Sequence, residues 1–209
     1  AFYEYMVPIV KGFSTEMAVE VASLGIQVHG GMGFIEETGA AQYYRDARIL
    51  SIYEGTTAIQ ANDLVGRKTA RDGGAVAAAI IGHMRETLAE LDGDEELSAL
   101  RGQLADAIQA YEEVVRFVVE RYRDDVREVY AGSVPYLMLA GLTHGGWQMA
   151  RAALACRRRI AKGDVDTFYP AKLAGAQFYC AHLLPRVEAL RREILQGGAS
   201  TLAMPVDAF

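Results

Sequence analysis

Cysteine is nearly missing from this chain of 209 residues: Cys156 and Cys180 are the only two, each inside an apolar helical pattern. That excludes a disulfide framework and a thiolate metal site, and both read as small buried hydrophobes in a reducing compartment. Long apolar runs are absent too. No stretch reaches the roughly 18 to 20 residues a membrane span needs, and the N-terminus lacks the charged, apolar and small-residue regions of a secretory signal. A cytoplasmic placement is the expectation. Basic charge is in deficit, with 21 Lys and Arg against 27 Asp and Glu, a net charge of −6 and a pI near 5.3. Wrapping nucleic acid or an anionic membrane is therefore not its main business. Neither HExxH nor CxxC spacing occurs, so no metal site is expected.

What is present is core-forming material. Hydrophobic residues make up 51% of the chain, enough for one large domain or two small ones. The chain opens Ala1-Phe2-Tyr3, already in an apolar pattern and without an initiator methionine, which reads as a piece of something longer.

The rest is organised around Tyr43 to Gln60, YYRDARILSIYEGTTAIQ, where Glu54-Gly55-Thr56 breaks two helical patterns. Thr57 followed by Gln60 fits a capping box, which sets Glu54 just before a helix N-terminus. Unpaired N–H donors and a positive dipole end there suit an electron-rich ligand, although a Glu-Gly pair alone also fits an ordinary interhelical turn.

Before this break, Met6, Val10, Phe13, Met17, Val21, Leu24 and Val28 recur three or four apart, the stripe of one long amphipathic helix. Pro8 suits a first turn, so the helix is expected to start near residues 5 to 7. Gly12 and Gly25 call for the close approach of another backbone. The helix should end at Gln27-Val28-His29-Gly30-Gly31-Met32-Gly33-Phe34, a glycine turn with exposed N–H groups that lacks the strand of a dinucleotide fingerprint. His29 reads as a partly buried, hydrogen-bonded histidine. A second helix is expected over Ala40 to Tyr53, with Arg45, Asp46 and Arg48 in an ion-pair network, and a third over Ala58 to Lys68.

Thr69 to Gly74 is the expected linker between residues 1–68 and residues 75–209. Apolar stripes after it mark four long helices: Val76 to Leu91, Leu97 to Tyr122, Pro135 to Lys162 and Pro170 to Gln196. With no alternating β-branched runs, this is an all-α fold ending in an antiparallel bundle. Gly141, Gly145 and Gly146 beside His144 and Trp147 imply tight helix contact. Arg157-Arg158-Arg159 reads as a solvated helix end complementing the dipole.

Three motifs in order, Gln27 to Phe34, Tyr44-Arg45-Asp46-Ala47-Arg48-Ile49 and Tyr53-Glu54-Gly55-Thr56-Thr57-Ala58-Ile59-Gln60, resemble the C-terminal helical domain of acyl-CoA dehydrogenases over residues 1 to about 68. The bundle resembles the extra C-terminal domain of the larger-subunit branch that includes methylthiopropionyl-CoA dehydrogenase-like enzymes. The resemblance implies an FAD enzyme that oxidises an acyl-CoA to its trans-2-enoyl-CoA. Glu54 would remove the α-proton while the β-hydrogen leaves as hydride to the flavin. Such a base must be desolvated and the enolate hydrogen-bonded, with the Glu54 N–H as one donor.

By the same resemblance Gly55 contacts the acyl-CoA, and Thr56 and Ala58 touch FAD. Ala58 stands where relatives often carry glutamine, so a side-chain hydrogen bond is lost there. Gln27 and Gly31 match positions holding the ADP part of a neighbouring subunit's FAD, which implies a homodimer or a dimer of dimers. The acceptor would be an electron-transfer flavoprotein. The family's N-terminal helical and central β-domains have no counterpart in this sequence, so the isolated piece is expected to be inactive and to hold FAD weakly or not at all. Two other readings are a DNA-associated alkylation-response flavoprotein relative, against which the acidic charge counts, and a non-catalytic helical assembly module.

Overall fold

The computed structural model describes residues 1–208, and among them every regular element is helical. α1 (Phe2–Pro8) runs through a wide π turn, Ile9–Phe13, into α2 (Ser14–His29). Helix therefore begins at Phe2, ahead of the expected start. Pro8 ends α1 rather than opening it, and the wide turn begins directly after it. A short α3 (Gly31–Phe34) precedes α4 (Ala40–Leu50) and α5 (Thr57–Asp63), which continues as a second π turn, Leu64–Ala70.

The bundle consists of α6 (Ala75–Glu90), α7 (Ser98–Asp124), α8 (Val126–Ala131), α9 (Ser133–Ala161), α10 (Phe168–His182) and α11 (Arg186–Leu202). Two details differ from the four helices expected. The last stripe is split by Leu183-Leu184-Pro185, because proline cannot donate into a continuing helix and restricts the residue before it. The additional α8 is started by Asp125, whose carboxylate accepts from the N–H groups of Arg127 and Glu128 at 3.1 and 3.3 Å.

α9 is the central helix. It carries no charged residue from Ser133 to Ala150 and packs against α6, α7, α10 and α11 as well as α5 and the first π turn. A helix apolar on all sides needs this enclosure. Its glycines sit where neighbours press closest: a Cβ at Gly141 would lie 2.1 Å from the Phe13 ring, at Gly145 2.2 Å from the Tyr179 hydroxyl, and at Gly146 2.7 Å from Leu184. These are the tight helix contacts the sequence implies.

Four buried hydroxyls join the first helices to the bundle. Tyr5 of α1 bonds Tyr111 of α7 at 2.6 Å and Tyr136 of α9 at 3.0 Å, and Tyr136 bonds Thr69 at 2.9 Å. Burial raises the pKa of all three tyrosines, so the network stays neutral. Thr69 is thus buried in the second π turn, and the chain reverses only over residues 71–74. There the Asp72 carboxylate accepts from the N–H groups of Gly74 and Val76 at 3.0 and 3.1 Å.

The two glycines of the first long helix have different surroundings. A Cβ at Gly12 would come within 2.5 Å of the Leu137 side chain, whereas one at Gly25 would meet nothing within 4 Å. A side chain, not a backbone, explains the first, and nothing in the chain explains the second. Gly12→Ala should lower stability by about 1–3 kcal/mol through overpacking. Gly25→Ala should raise it by up to about 1 kcal/mol through helix propensity, and urea denaturation of both variants checks the opposite signs.

His144 is buried in α9 with its Nδ1–H donating to the Ala140 carbonyl at 2.7 Å, while Nε2 has no partner. Burial disfavours the charged ring and pushes its pKa down to about 4. Its folded pKa lies below the unfolded value near 6.5, so its contribution is intact above pH 6.5 and is lost as pH falls towards 4, by roughly 3 kcal/mol in all. His144→Gln should flatten stability against pH across that window, and denaturant titrations at pH 7 and pH 4.5 measure it.

Candidate active site

The motif Glu54-Gly55-Thr56 forms the turn between α4 and α5. α4 ends at Leu50, earlier than the Tyr53 expected, and tightens there into a turn in which the Ile52 N–H takes the Ile49 carbonyl three residues back at 3.0 Å. Glu54 then adopts φ +51°, the one non-glycine residue at positive φ among the described residues. For a residue with a Cβ this costs on the order of 1–3 kcal/mol and persists only where neighbours enforce it. Gly55 comes next at φ +96°, where a Cβ would stand 2.7 Å from the Gln60 amide nitrogen.

Thr56 is extended and caps α5, its hydroxyl accepting from the Ile59 N–H at 3.4 Å. The cap therefore lies one residue before the Thr57 expected. Thr57 is already helical, and its hydroxyl donates to the Glu16 carboxylate on α2. Its N–H closes the turn onto the Ser51 carbonyl at 3.2 Å. On the other side, the Lys11 ammonium donates to the Leu50 carbonyl at 2.5 Å and lies 5.1 Å from the centre of the Tyr53 ring.

Glu54 is exposed, and so are Ile49, Ile52, Tyr53 and Ile59 around it. The exposure extends along the first helices: Val21, Leu24, Val28, Met32, Phe34 and Tyr43 all face outward, and α2 buries none of its residues. An apolar surface of this extent marks a binding face: of the stripe read in the sequence, Met6 and Phe13 pack on the core, whereas Val10, Val21, Leu24 and Val28 are not covered within this chain.

Glu54, Gly55, Thr56 and Ala58 come together in one turn and helix start. Gln27 and Gly31 do not join them. Gln27 is eleven residues along α2 from Glu16, about 16 Å at the helical rise, so the two groups occupy opposite ends of that helix. At the far end Gly30 turns the chain at φ +60°, and a Cβ on Gly30 or Gly31 would meet nothing. Gly33 is the glycine that packing requires, since a Cβ there would lie 2.4 Å from the Ile26 carbonyl oxygen. The backbone at Gly31 is bare and open.

Several neighbouring residues differ from expectation. His29 is exposed rather than half-buried. Arg45 pairs with Glu36 at 3.0 Å and Arg48 reaches the Ser51 hydroxyl at 2.6 Å, so the network runs outward from α4 and not through Asp46. Arg157 binds Asp94 and Glu96 at 2.9 and 2.6 Å and Arg158 binds Glu90 at 2.5 Å, which ties them to the α6–α7 connection, while Arg158 and Arg159 stay exposed in the last turn of α9, the solvated helix end expected. Among the described residues no group of three or more His, Cys, Asp or Glu side chains could hold a metal, and no helix is long and apolar enough to cross a membrane. The sequence does not single out Lys11 and Glu16, because their partners lie 39 and 41 residues away and no local spacing signals them.

Residues 4–68 match the family model described as acyl-CoA dehydrogenase, C-terminal domain, and residues 80–205 match one described as acetyl-CoA dehydrogenase C-terminal like. The chain is similar to a 3-methylmercaptopropionyl-CoA dehydrogenase of Ruegeria pomeroyi, at 49% identity over 200 residues, covering 95% of this chain and 34% of that protein. It is also similar to the broad-specificity linear acyl-CoA dehydrogenase FadE5 of Mycobacterium tuberculosis, at 36% identity with 91% and 33% covered. A butyryl-CoA dehydrogenase of Syntrophomonas wolfei is 29% identical, with 97% and 34% covered. The chain spans about a third of the length of these curated relatives. Both matched regions are C-terminal ones and together they take in nearly all of its helices: the chain belongs to the acyl-CoA dehydrogenase family.

Proposed function

We propose that this chain supplies the catalytic base of an FAD-dependent enzyme that oxidises an acyl-CoA thioester to the trans-2-enoyl-CoA. The observation that carries the reading is Glu54, a carboxylate held at positive φ in the turn before α5 and set on an uncovered apolar face. A carboxylate in water is too weak a base for a thioester α-carbon, so the covering of that face would exclude water and strengthen it. Glu54 takes the α-proton, and its backbone N–H donates to the thioester carbonyl as negative charge develops there. Gly55 would contact the acyl-CoA.

Thr56 and Ala58 would lie against FAD, with Ala58 offering contact but no hydrogen bond. Gln27 and the open turn at Gly31 would hold the ADP part of a neighbouring subunit's FAD, which requires a homodimer or a dimer of dimers. When bound, FAD supplies acceptance of the β-hydrogen as hydride. Electrons would pass to an electron-transfer flavoprotein, and we place the enzyme in the cytoplasm. Residues 1–68 and 75–209 are the two domains of this reading, joined over 69–74.

The test is anaerobic mixing of the full-length protein with acyl-CoAs of graded chain length while following the flavin absorption band. Bleaching by one chain-length class supports the reading and names the substrate. A protein that holds FAD and is bleached by none of them refutes it.

A further inference from the structure

The turn carrying Glu54 is gripped from one helix at two points. Lys11, inside the π turn Ile9–Phe13, bonds the Leu50 carbonyl and lies over the Tyr53 ring, on the entry side of the turn. Five residues further on, Glu16 holds Thr57 on the exit side, and Thr57 in turn closes onto Ser51. Glu54 lies between, at positive φ.

Each contact has its own physical ground. The Leu50 carbonyl belongs to the last turn of α4, whose carbonyls lack intrahelical partners, and an ammonium there also complements the negative end of the helix dipole. Tyr53 directly precedes Glu54, so a cation held against its ring restrains the peptide leading into the strained residue. The wide turn sets the aim of Lys11. One residue more or fewer in a helix rotates every later residue by about 100°, which would swing Lys11 and Glu16 out of register with each other.

We propose that Lys11 is a positioning residue for Glu54, with Glu16 as the second point of the brace: together they hold the turn in the backbone conformation that aims the carboxylate. This rests on the reading of Glu54 as the base.

The experiment uses the full-length enzyme. Lys11→Met keeps the aliphatic stem and removes the ammonium. kcat should fall about 10- to 100-fold, the scale of a small misplacement of a catalytic group, with KM and flavin content unchanged. Amides 51–57 should exchange with deuterium faster while those of α9 do not change. Lys11→Arg, which retains a donor and a cation, should restore most of kcat. On a Glu54→Gln background Lys11→Met should cost nothing further, since residues acting as a unit are not additive. Lys11→Gln serves as the second variant if Lys11→Met does not fold, with the same losses expected. Normal kcat in Lys11→Met beside an inactive Glu54→Gln overturns this inference alone, as does a kcat loss that persists on the Glu54→Gln background. Full turnover by Glu54→Gln overturns the base reading and this inference with it.

Discussion

Glu54→Gln in the full-length protein is expected to lower acyl-CoA oxidation by about 10²- to 10⁴-fold, the usual worth of a positioned general base. The substitution is chosen for what it leaves alone. Glutamine has the same length and the same Cβ, so the demand for positive φ at residue 54 is unchanged, as are the cap at Thr56 and the closure onto Ser51. Only the capacity to take a proton is lost. Flavin content and substrate affinity should therefore stay at wild-type levels, with the loss confined to kcat and to the rate of anaerobic bleaching. Unchanged turnover with full flavin content would remove Glu54 from the chemistry and return the turn to an ordinary interhelical connection.

Tyr136→Ala should lower stability by about 3–5 kcal/mol, because a fully buried ring in the first turn of α9 leaves a cavity that rigid neighbours cannot close. Tyr136→Phe isolates the polar part of that loss. It removes only the hydroxyl, yet Thr69 and Tyr5 lose a buried partner at 2.9 and 3.0 Å, for a cost of about 1–3 kcal/mol. These bonds tie α1 and the second π turn to α7 and α9, so the loss should appear as a lower urea midpoint for the whole chain rather than as fraying of one helix. A Phe variant as stable as the wild type would mean that apolar packing alone joins these elements.

The helical class, the glycine turn after α2 and the break at Glu54 are legible in the sequence because each depends on neighbours within one or two turns: an apolar residue every third or fourth position, a glycine that can take positive φ, a threonine at a cap. Two local signals carry more than the apolar spacing conveys. Pro185 divides what that spacing joins into one helix, and Asp125 opens α8. Periodicity runs across both, since a stripe keeps its phase over a short interruption. The cap falls on Thr56 and not on the expected Thr57 for a related reason: the two offer the same hydroxyl, and the backbone turn at Gly55 chooses between them.

From sequence alone came the helical class, the order of the long helices and the break at Glu54, set by short-range energetics and by residue types that tolerate few conformations, while the family resemblance singled out Glu54 as the candidate base. Only the tertiary structure decided which apolar faces are covered, since a stripe read from spacing looks like core, yet Val21, Leu24 and Val28 of α2 lie open. It also decided the strained backbone of Glu54 and the grip of Lys11 and Glu16 upon its turn. Those depend on contacts between residues some forty positions apart, and the register of such contacts is set by how whole helices pack, which no local pattern encodes.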